Sequence, residues 1–567
     1  MSNNLRGLFL AAGLLAVVAT AAWLRLPHLA ARPMHADEAN QAKKAGDLYE
    51  TGIYRYDPGD HHGPSLYWLT LPVMWLSGVE DFAHSDESVY RLLPAVFGVA
   101  LVLLVLLMAD GLGAPAVLVA ALLTALSPAL VFYSRYYIQE MLLVTFAMAA
   151  IACLWRYSRS GRAGWAIAAG AAFGLMHATK ETWVLSAAAM ASALALTLAW
   201  GRLRDGADTS PTRKRGTCSI SLSRLRVGLV KLLRARIFQH GLAALAAACL
   251  VAAAFYSGFG QDLHGPWDSI RAYVNYWDRG REGGLQAEPW PYYFQLLLAW
   301  QPARRLWAPD AAIVLLAAAG LIGSLGMGGV KLTRGAGHHA EHGRAAKPLS
   351  LPLVRFLAFY AVILTALYSA IPYKTPWCAV GFLHAMVLVA AAGAAMLIHA
   401  ARTRSMPATM IVAALLLAAI AHLGWQSYLV NFRIPVDRRH PYGHSATSPD
   451  MLKLAGRLEA LARVSPEGHD MIIHVVVPDD YWPLPWYLRR FNPDRVGYWR
   501  DAAAWRRETA GSPPPSVVLL SPEVSKEVDA GLGGKYNKQM IFGLRPEVFL
   551  LAYVRDDLWQ ALLAAGR

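Results

Sequence analysis

The sequence predicts a polytopic α-helical membrane protein that ends in a small α/β domain. Three observations carry this. Of the 567 residues, 56% are hydrophobic and only 16% charged, with 19 Trp. Apolar runs recur through residues 1–424, at a length that lets a helix of about 20 residues cross a bilayer. After Leu423 the chain turns polar and Pro-rich, with short β-like runs. A soluble protein does not bury so much apolar surface, because single cores stop growing near roughly 250–300 residues. Low charge and many aromatic residues also exclude disorder.

In chain order the expected spans are Gly7–Leu24, Leu92–Met108, Pro115–Phe132, Met141–Trp155, Trp165–Ala178, Trp183–Trp200, Gly241–Phe259, Ala311–Val330, Val354–Ile371, Ala379–His399 and Met410–Leu423. That is about 11 transmembrane helices, of which the fourth and fifth are the shortest; the first is read as uncleaved. Leu66–Leu76 is apolar but interrupted by Pro72, and reads as a helix lying in the interface. In the C-terminal region, residues 425–567, a helical pattern over Asp450–Arg463 precedes strand-like runs at Met471–Val477, Ser516–Leu520 and Val548–Val554. The absence of an evident internal repeat weakens a transporter reading built on inverted halves.

Charge sets the expected sidedness. The linker 201–240 holds ten Lys and Arg, whereas the first loop, 25–88, holds ten Asp and Glu against five Lys and Arg. Cytoplasmic loops are the basic ones, so the N-terminus is placed in the cytoplasm and the C-terminal domain outside it. The net charge of +15 is spread between apolar runs rather than gathered in one basic domain, which argues against nucleic acid as a partner. Membrane lipids are the expected partner of the 201–240 segment, which contains Ser-Pro-Thr-Arg-Lys-Arg at 210–215 and reads as a flexible linker ending in a basic amphipathic stretch. The His-rich stretch His338–His342 reads as a solvated loop. The four cysteines are scattered and none follows Cys378, so the C-terminal region has neither a disulfide framework nor a thiolate metal site.

The polar residues that suggest chemistry fall in turns on the side assigned to the exterior. The first loop opens with Asp37-Glu38, an acidic pair able to supply a base or to ligate a divalent cation, or simply to favour a helix N-terminus. His61-His62-Gly-Pro follows it. Next come Arg135 and Glu140 at the edges of two spans, then Thr179-Lys180-Glu181-Thr182, and finally Ile371-Pro-Tyr373-Lys374-Thr-Pro-Trp. Ionisable groups so near a bilayer pair with each other or line a cavity. For Arg135 the plainer reading is snorkelling at the interface. For the aromatic residues of 276–293 and 481–487 it is packing and belt anchoring, against stacking on sugar rings.

These motifs resemble the GT-C superfamily of integral-membrane glycosyltransferases, which includes protein O-mannosyltransferases and the aminoarabinose transferase of lipid A. Asp37-Glu38 matches that family's acidic motif near the end of the first span, and His62-Gly-Pro-Ser-Leu-Tyr-Trp is similar to the stretch that follows it. A closer similarity is to the bacterial and archaeal flippase-activity-associated membrane proteins. It runs through His35-Ala-Asp-Glu-Ala, Tyr54-Arg-Tyr-Asp-Pro, Thr179-Lys-Glu, Ile371-Pro-Tyr-Lys-Thr-Pro-Trp and Asp480-Tyr-Trp-Pro-Leu-Pro-Trp-Tyr-Leu-Arg.

The resemblance implies a GT-C-like fold and inverting transfer of a sugar from a polyprenyl-phosphate-linked donor to a glycan, lipid or protein acceptor. Asp37 would be the base. Glu38, His62, Arg135, Glu140, Lys180, Glu181, Tyr373 and Lys374 would bind substrate, with Arg135, Lys180 and Lys374 facing the phosphate. No spacing here establishes a metal site; a divalent cation would be held by Asp37 and Glu38, or by Glu38, His62 and Glu181, which otherwise orient the sugar. The rival reading is a non-catalytic flippase of lipid-linked glycans, or an accessory to one.

Overall fold

The computed structural model describes residues 3–60, 62–207, 221–282, 286–299, 308–326, 349–437 and 440–566. The basic run at 210–215, the His-rich stretch 338–342 and the end of the expected span Ala311–Val330 lie outside them. Two compact units emerge. One comprises Met1–Pro27, Ile53–Trp68 and Pro94–Arg433; the other comprises His28–Gly52, Leu69–Leu93 and Ile434–Arg567.

Among the described residues eight helices are long and apolar enough to cross a membrane: Leu8–Ala31, Glu87–Leu112, Glu140–Ser160, Trp183–Arg204, Ala235–Tyr256, Leu351–Ala370, Pro376–Arg402 and Met406–Arg433. A bent pair, Ala114–Leu126 and Pro128–Ser134, gives a ninth if counted as one span. The expected spans Trp165–Ala178 and Ala311–Val330 correspond to the shorter helices Ala163–His177 and Ala311–Gly326. Expected helix Leu66–Leu76 forms as Ser65–Leu76, with Pro72 inside it. The protein is therefore an integral membrane protein. Ala163–His177 packs closely on the helix that ends at Tyr256. A Cβ on Gly170 would stand 1.9 Å from the Ala244 carbonyl oxygen, and one on Gly174 would stand 2.5 Å from that of Ala248. Small residues four apart let two backbones approach where lipid supplies no hydrophobic drive.

The bent pair has an identifiable cause. Ser127-Pro128 stops one helix and starts the next at 58° to it, because proline supplies no amide proton and clashes with the preceding turn. The carbonyls left over at the break are taken by a buried guanidinium. Arg25 Nη1 donates to the Ala125 oxygen at 2.9 Å, and Nη2 donates to that of Thr124 at 2.9 Å. The second helix begins on Ser127, whose Oγ accepts from the Leu130 amide and donates to Asp310 at 2.8 Å. At its other end Arg135 returns the favour. Its Nη1 donates to the carbonyls of Leu24, Arg25 and Pro27 at 3.3, 3.0 and 2.8 Å. Each arginine thus caps the helix end that carries or adjoins the other.

The second unit is built on a five-stranded sheet ordered β2-β1-β3-β5-β4. The strands are β1 Ile473–Val476, β2 Val496–Trp499, β3 Val517–Leu520, β4 Tyr536–Arg545 and β5 Val548–Arg555. β1 pairs in parallel with both β2 and β3, whereas β5 runs antiparallel to β3 and β4. Its core joins Val476, Val518, Leu520, Trp505, Val528 and Tyr553. Helix Asp450–Val464 and the strands at 473, 517 and 548 match the sequence expectation. β2 and β4 were not foreseen: the first is four residues with a glycine, and the second carries Asn, Lys and Gln among its apolar positions. Two stretches of the first loop pack in this unit. The Met34 amide donates to Tyr487 Oη at 2.9 Å, Trp486 Nε1 donates to Glu87 at 2.9 Å, and Arg489 Nη2 donates to the Ser85 carbonyl at 2.6 Å.

Removing one partner from a buried hydrogen-bonded set leaves the other unsatisfied, at about 1–3 kcal/mol. Arg25→Met is therefore expected to lower the thermal unfolding midpoint of the detergent-solubilised protein by several degrees. A midpoint equal to wild type would refute the capping role.

Candidate functional site

The first candidate region begins at helix Ala36–Thr51. His35 is its N-cap, accepting from the Asp37 amide on Nδ1 at 3.1 Å, while the Glu38 side chain reaches back to accept from the His35 amide at 3.0 Å. This reciprocal pairing satisfies two amides that a helix start would otherwise leave open. The two carboxylates then separate in character. Glu38 is wholly buried, and Arg91 grips it on both oxygens, Nε to Oε1 and Nη2 to Oε2, each at 2.7 Å. Arg32 adds a contact at 3.4 Å. Burial alone would push the Glu38 carboxyl up, but Arg91 and Arg32 outweigh it and hold it at about 2. Arg91 also donates to the carbonyls of Leu29, Arg32 and Pro33 at 2.7, 2.8 and 3.1 Å, so one guanidinium fixes the whole approach to the helix. Asp37, by contrast, keeps 49% of its side chain exposed, and His35 Nδ1 stands 3.9 Å from its Oδ2.

Both Glu38 oxygens are thus engaged by arginine, and the pairing fixes the start of the helix. Among the described residues no three His, Cys, Asp or Glu side chains gather as a metal site, and no step below uses one.

The second region lies in the membrane unit. Gly63 allows the first loop to lie against the turn after Ala163–His177, since a Cβ there would come 2.4 Å from the Ala178 backbone. Ser65 completes the junction, its amide donating to the Ala178 carbonyl at 2.8 Å and its Oγ sharing a 2.8 Å hydrogen bond with Thr179. His62 is thereby brought to Glu181, Nδ1 to Oε2 at 2.9 Å, with Tyr276 Oη 2.8 Å from the same nitrogen. Glu181 is 4% exposed and its Oε1 has no hydrogen-bond partner. Burial pushes its carboxyl up, and His62 and Lys180 more than reverse this, leaving it below the usual range.

The expected phosphate ligands all have partners inside the protein. Lys180 is buried in an ion pair with Glu140; burial works against its charge, but Glu140 prevails and raises its pKa. Arg135 caps the first helix as described and lies 4.8 Å over the Phe432 ring. Lys374, 2% exposed, donates from Nζ to the carbonyls of Glu288 and Ile371 at 2.7 and 2.6 Å. Tyr373 contributes backbone, as the bridge partner of Ala287. The cations divide accordingly. Lys180 is paired with a carboxylate, whereas Lys374 and Arg135 donate to backbone carbonyls.

An apolar groove of about 550 Å³ is lined by Trp290, Phe294, Val362, Thr365, Ser369 and Met386 among others. Its walls continue in sequence into the two strands of chain, 286–288 and 372–374, that the Ala287–Tyr373 bridge joins. Sequence reasoning missed this groove, because its residues look like ordinary membrane-facing positions. Arg91 was missed too. A lone arginine near the start of an apolar span was the available signal, since such a charge must find a buried partner.

Because the folded Glu38 carboxyl is lower than its unfolded value, its contribution to stability is full above the ordinary carboxylate range and is lost as pH falls toward 2. Glu38→Gln is expected to unfold at lower temperature at pH 7 and to show a flatter dependence of the unfolding midpoint between pH 5 and 3. Parallel profiles for mutant and wild type would refute the arginine lock.

Residues 70–260, about a third of the chain, match the family described as dolichyl-phosphate-mannose-protein mannosyltransferase. Among curated proteins none matches the sequence at a significant level. Among solved structures the chain is similar to ArnT from Cupriavidus metallidurans bound to undecaprenyl phosphate, at 14% identity and a TM-score of 0.59, covering 97% of this chain and 98% of that one. It is also similar to the archaeal oligosaccharyltransferase AglB from Archaeoglobus fulgidus in complex with an inhibitory peptide and a dolichol-phosphate. There the identity is 13% and the TM-score 0.51, over 93% of this chain and 72% of that one. The chain shares its fold with these two proteins.

Proposed function

We propose that the protein is a membrane glycosyltransferase that moves a sugar from a polyprenyl-phosphate-linked donor to an acceptor hydroxyl outside the cytoplasm. The observations that carry this reading are the apolar groove and the buried Lys374, which follows the groove's lining residue Ala370 by four positions in sequence. An amphiphile with a prenyl tail and an anionic head matches that pair of features, because the tail gains by leaving water and the phosphate by meeting fixed positive charge. The fold supports it, and so do the polyprenyl and dolichol phosphates bound by the two structurally similar enzymes.

On this reading Asp37 is the base. It takes the proton from the acceptor hydroxyl as that oxygen bonds to the anomeric carbon. The bond from that carbon to the phosphate oxygen breaks on the opposite face, and the polyprenyl phosphate departs with the electron pair. Configuration inverts. The Arg91–Glu38 lock serves by fixing the turn that carries Asp37, so the carboxylate need not be ordered at the moment of reaction. Lys374, with Arg135 as the second candidate, stabilises the charge that grows on the leaving phosphate; Glu181, with His62, orients hydroxyl groups of the sugar. The acidic first loop and the basic 201–240 linker support placing the N-terminus in the cytoplasm and residues 434–567 outside.

General base catalysis contributes roughly 10²–10⁴-fold. Asp37→Asn is expected to reduce transfer from polyprenyl-phosphate sugars in membranes by at least about 100-fold while the protein remains inserted and folded. Full activity in that variant would remove Asp37 as the base. Movement of labelled lipid-linked sugar without any covalent change, in the wild type, would overturn the transferase reading itself.

A further inference from the structure

The sheet unit carries a second feature that the transfer reaction leaves unexplained. Alternation along β2 sends Tyr498 and Trp499 to opposite faces. Trp499 joins the core and donates from Nε1 to Glu508 at 2.9 Å. Tyr498 instead meets the loop that follows β1. The Tyr481 ring stacks on it with centroids 4.8 Å apart and planes 30° from parallel, and the Trp482 ring adjoins that of Tyr481 at 6.5 Å and 24°. All three rings are half-buried, and Asp479 and Asp480 beside them are exposed.

This loop is built rather than loose. Asp480 Oδ1 accepts from the Trp482 amide at 3.1 Å, and Oδ2 accepts from Arg545 Nη1 at 3.2 Å. Arg545, at the end of β4, also reaches the Trp482 carbonyl at 3.4 Å. A single guanidinium therefore fixes both the carboxylate and the backbone that present the rings.

We infer that Tyr481 and Trp482, backed by Tyr498 and with Asp479 and Asp480 at their margin, form a binding platform for a neutral saccharide. A pyranose offers an apolar face of C–H groups and a rim of hydroxyls. The first suits the negative face of an aromatic ring, and the second suits carboxylates, which accept only. The acidic margin disfavours nucleotides, phosphosugars and acidic glycans, which share the flat-ring preference but bring like charge. The platform also connects to the element that bears Asp37. Helix Leu484–Tyr487 starts two residues after Trp482, and Tyr487 Oη accepts from the Met34 amide. If the transferase reading holds, the acceptor is accordingly a glycan; that last step rests on the proposed function, whereas the platform does not.

Binding can be measured without donor or transfer, so the two readings fail separately. The full-length protein in nanodiscs is titrated calorimetrically with neutral gluco-, manno-, galacto- and N-acetylglucosamine oligosaccharides. At least one series is expected to bind, with ligand ring protons receiving saturation transfer from aromatic protein protons. Tyr481→Ala and Trp482→Ala are each expected to weaken that binding about tenfold, the scale of one stacking contact. Tyr481→Phe, which keeps the ring, should stay within about twofold of wild type. Unchanged unfolding midpoints identify the alanine variants as folded. Failure of every series to bind the wild type, or equal binding by the folded alanine variants, would overturn the platform.

Discussion

A charge withdrawn from water must be met on every side, and that constraint organises this molecule more than any apolar contact does. The clearest case is Arg91, whose guanidinium satisfies one carboxylate and three carbonyls at once. Taking either member away would strand the other in a buried site, which costs far more than the pair is worth in isolation. The same necessity recurs at Arg25, Arg135, Lys180 and Lys374. Each sits where backbone leaves a regular helix, so the charges that look functional in a list of residues are in the first place what lets the backbone turn near a bilayer.

That dual use explains how the proposed chemistry can coexist with a tightly paired site. Carbonyl dipoles stabilise a cation without neutralising it, and Lys374 makes two such hydrogen bonds. A carboxylate partner, as on Lys180, largely cancels the charge. The adjacent acids of the first loop show the converse division. Glu38 supplies rigidity, and Asp37 keeps 49% of its side chain exposed.

Much of the fold was legible in the sequence because its signals are one-dimensional. Span length and the change of character after Leu423 need no partner to be read. The helix Asp450–Val464 and three of five strands followed from periodicity alone. β4 did not, since an edge strand is half solvated and mixes polar with apolar positions. The candidate site was legible as a set of residues but not as a set of roles. Nothing in the pair Asp37-Glu38 says which member faces inward; that is decided by Arg91, 53 positions after Glu38. Nor does His62-Gly-Pro announce that its glycine exists to admit the Ala178 backbone.

The exchange of caps between Arg25 and Arg135 has one further implication. Two helix ends that each lend the other its missing donors form a closed loop of dependence, so neither relaxes by itself. Rocking the first helix would uncover the carbonyls at the Ser127-Pro128 break, and straightening that break would uncover those at the end of the first helix. Such a joint behaves as a rigid abutment, and any opening through which a lipid enters this unit must lie along helices that the two arginines do not tie.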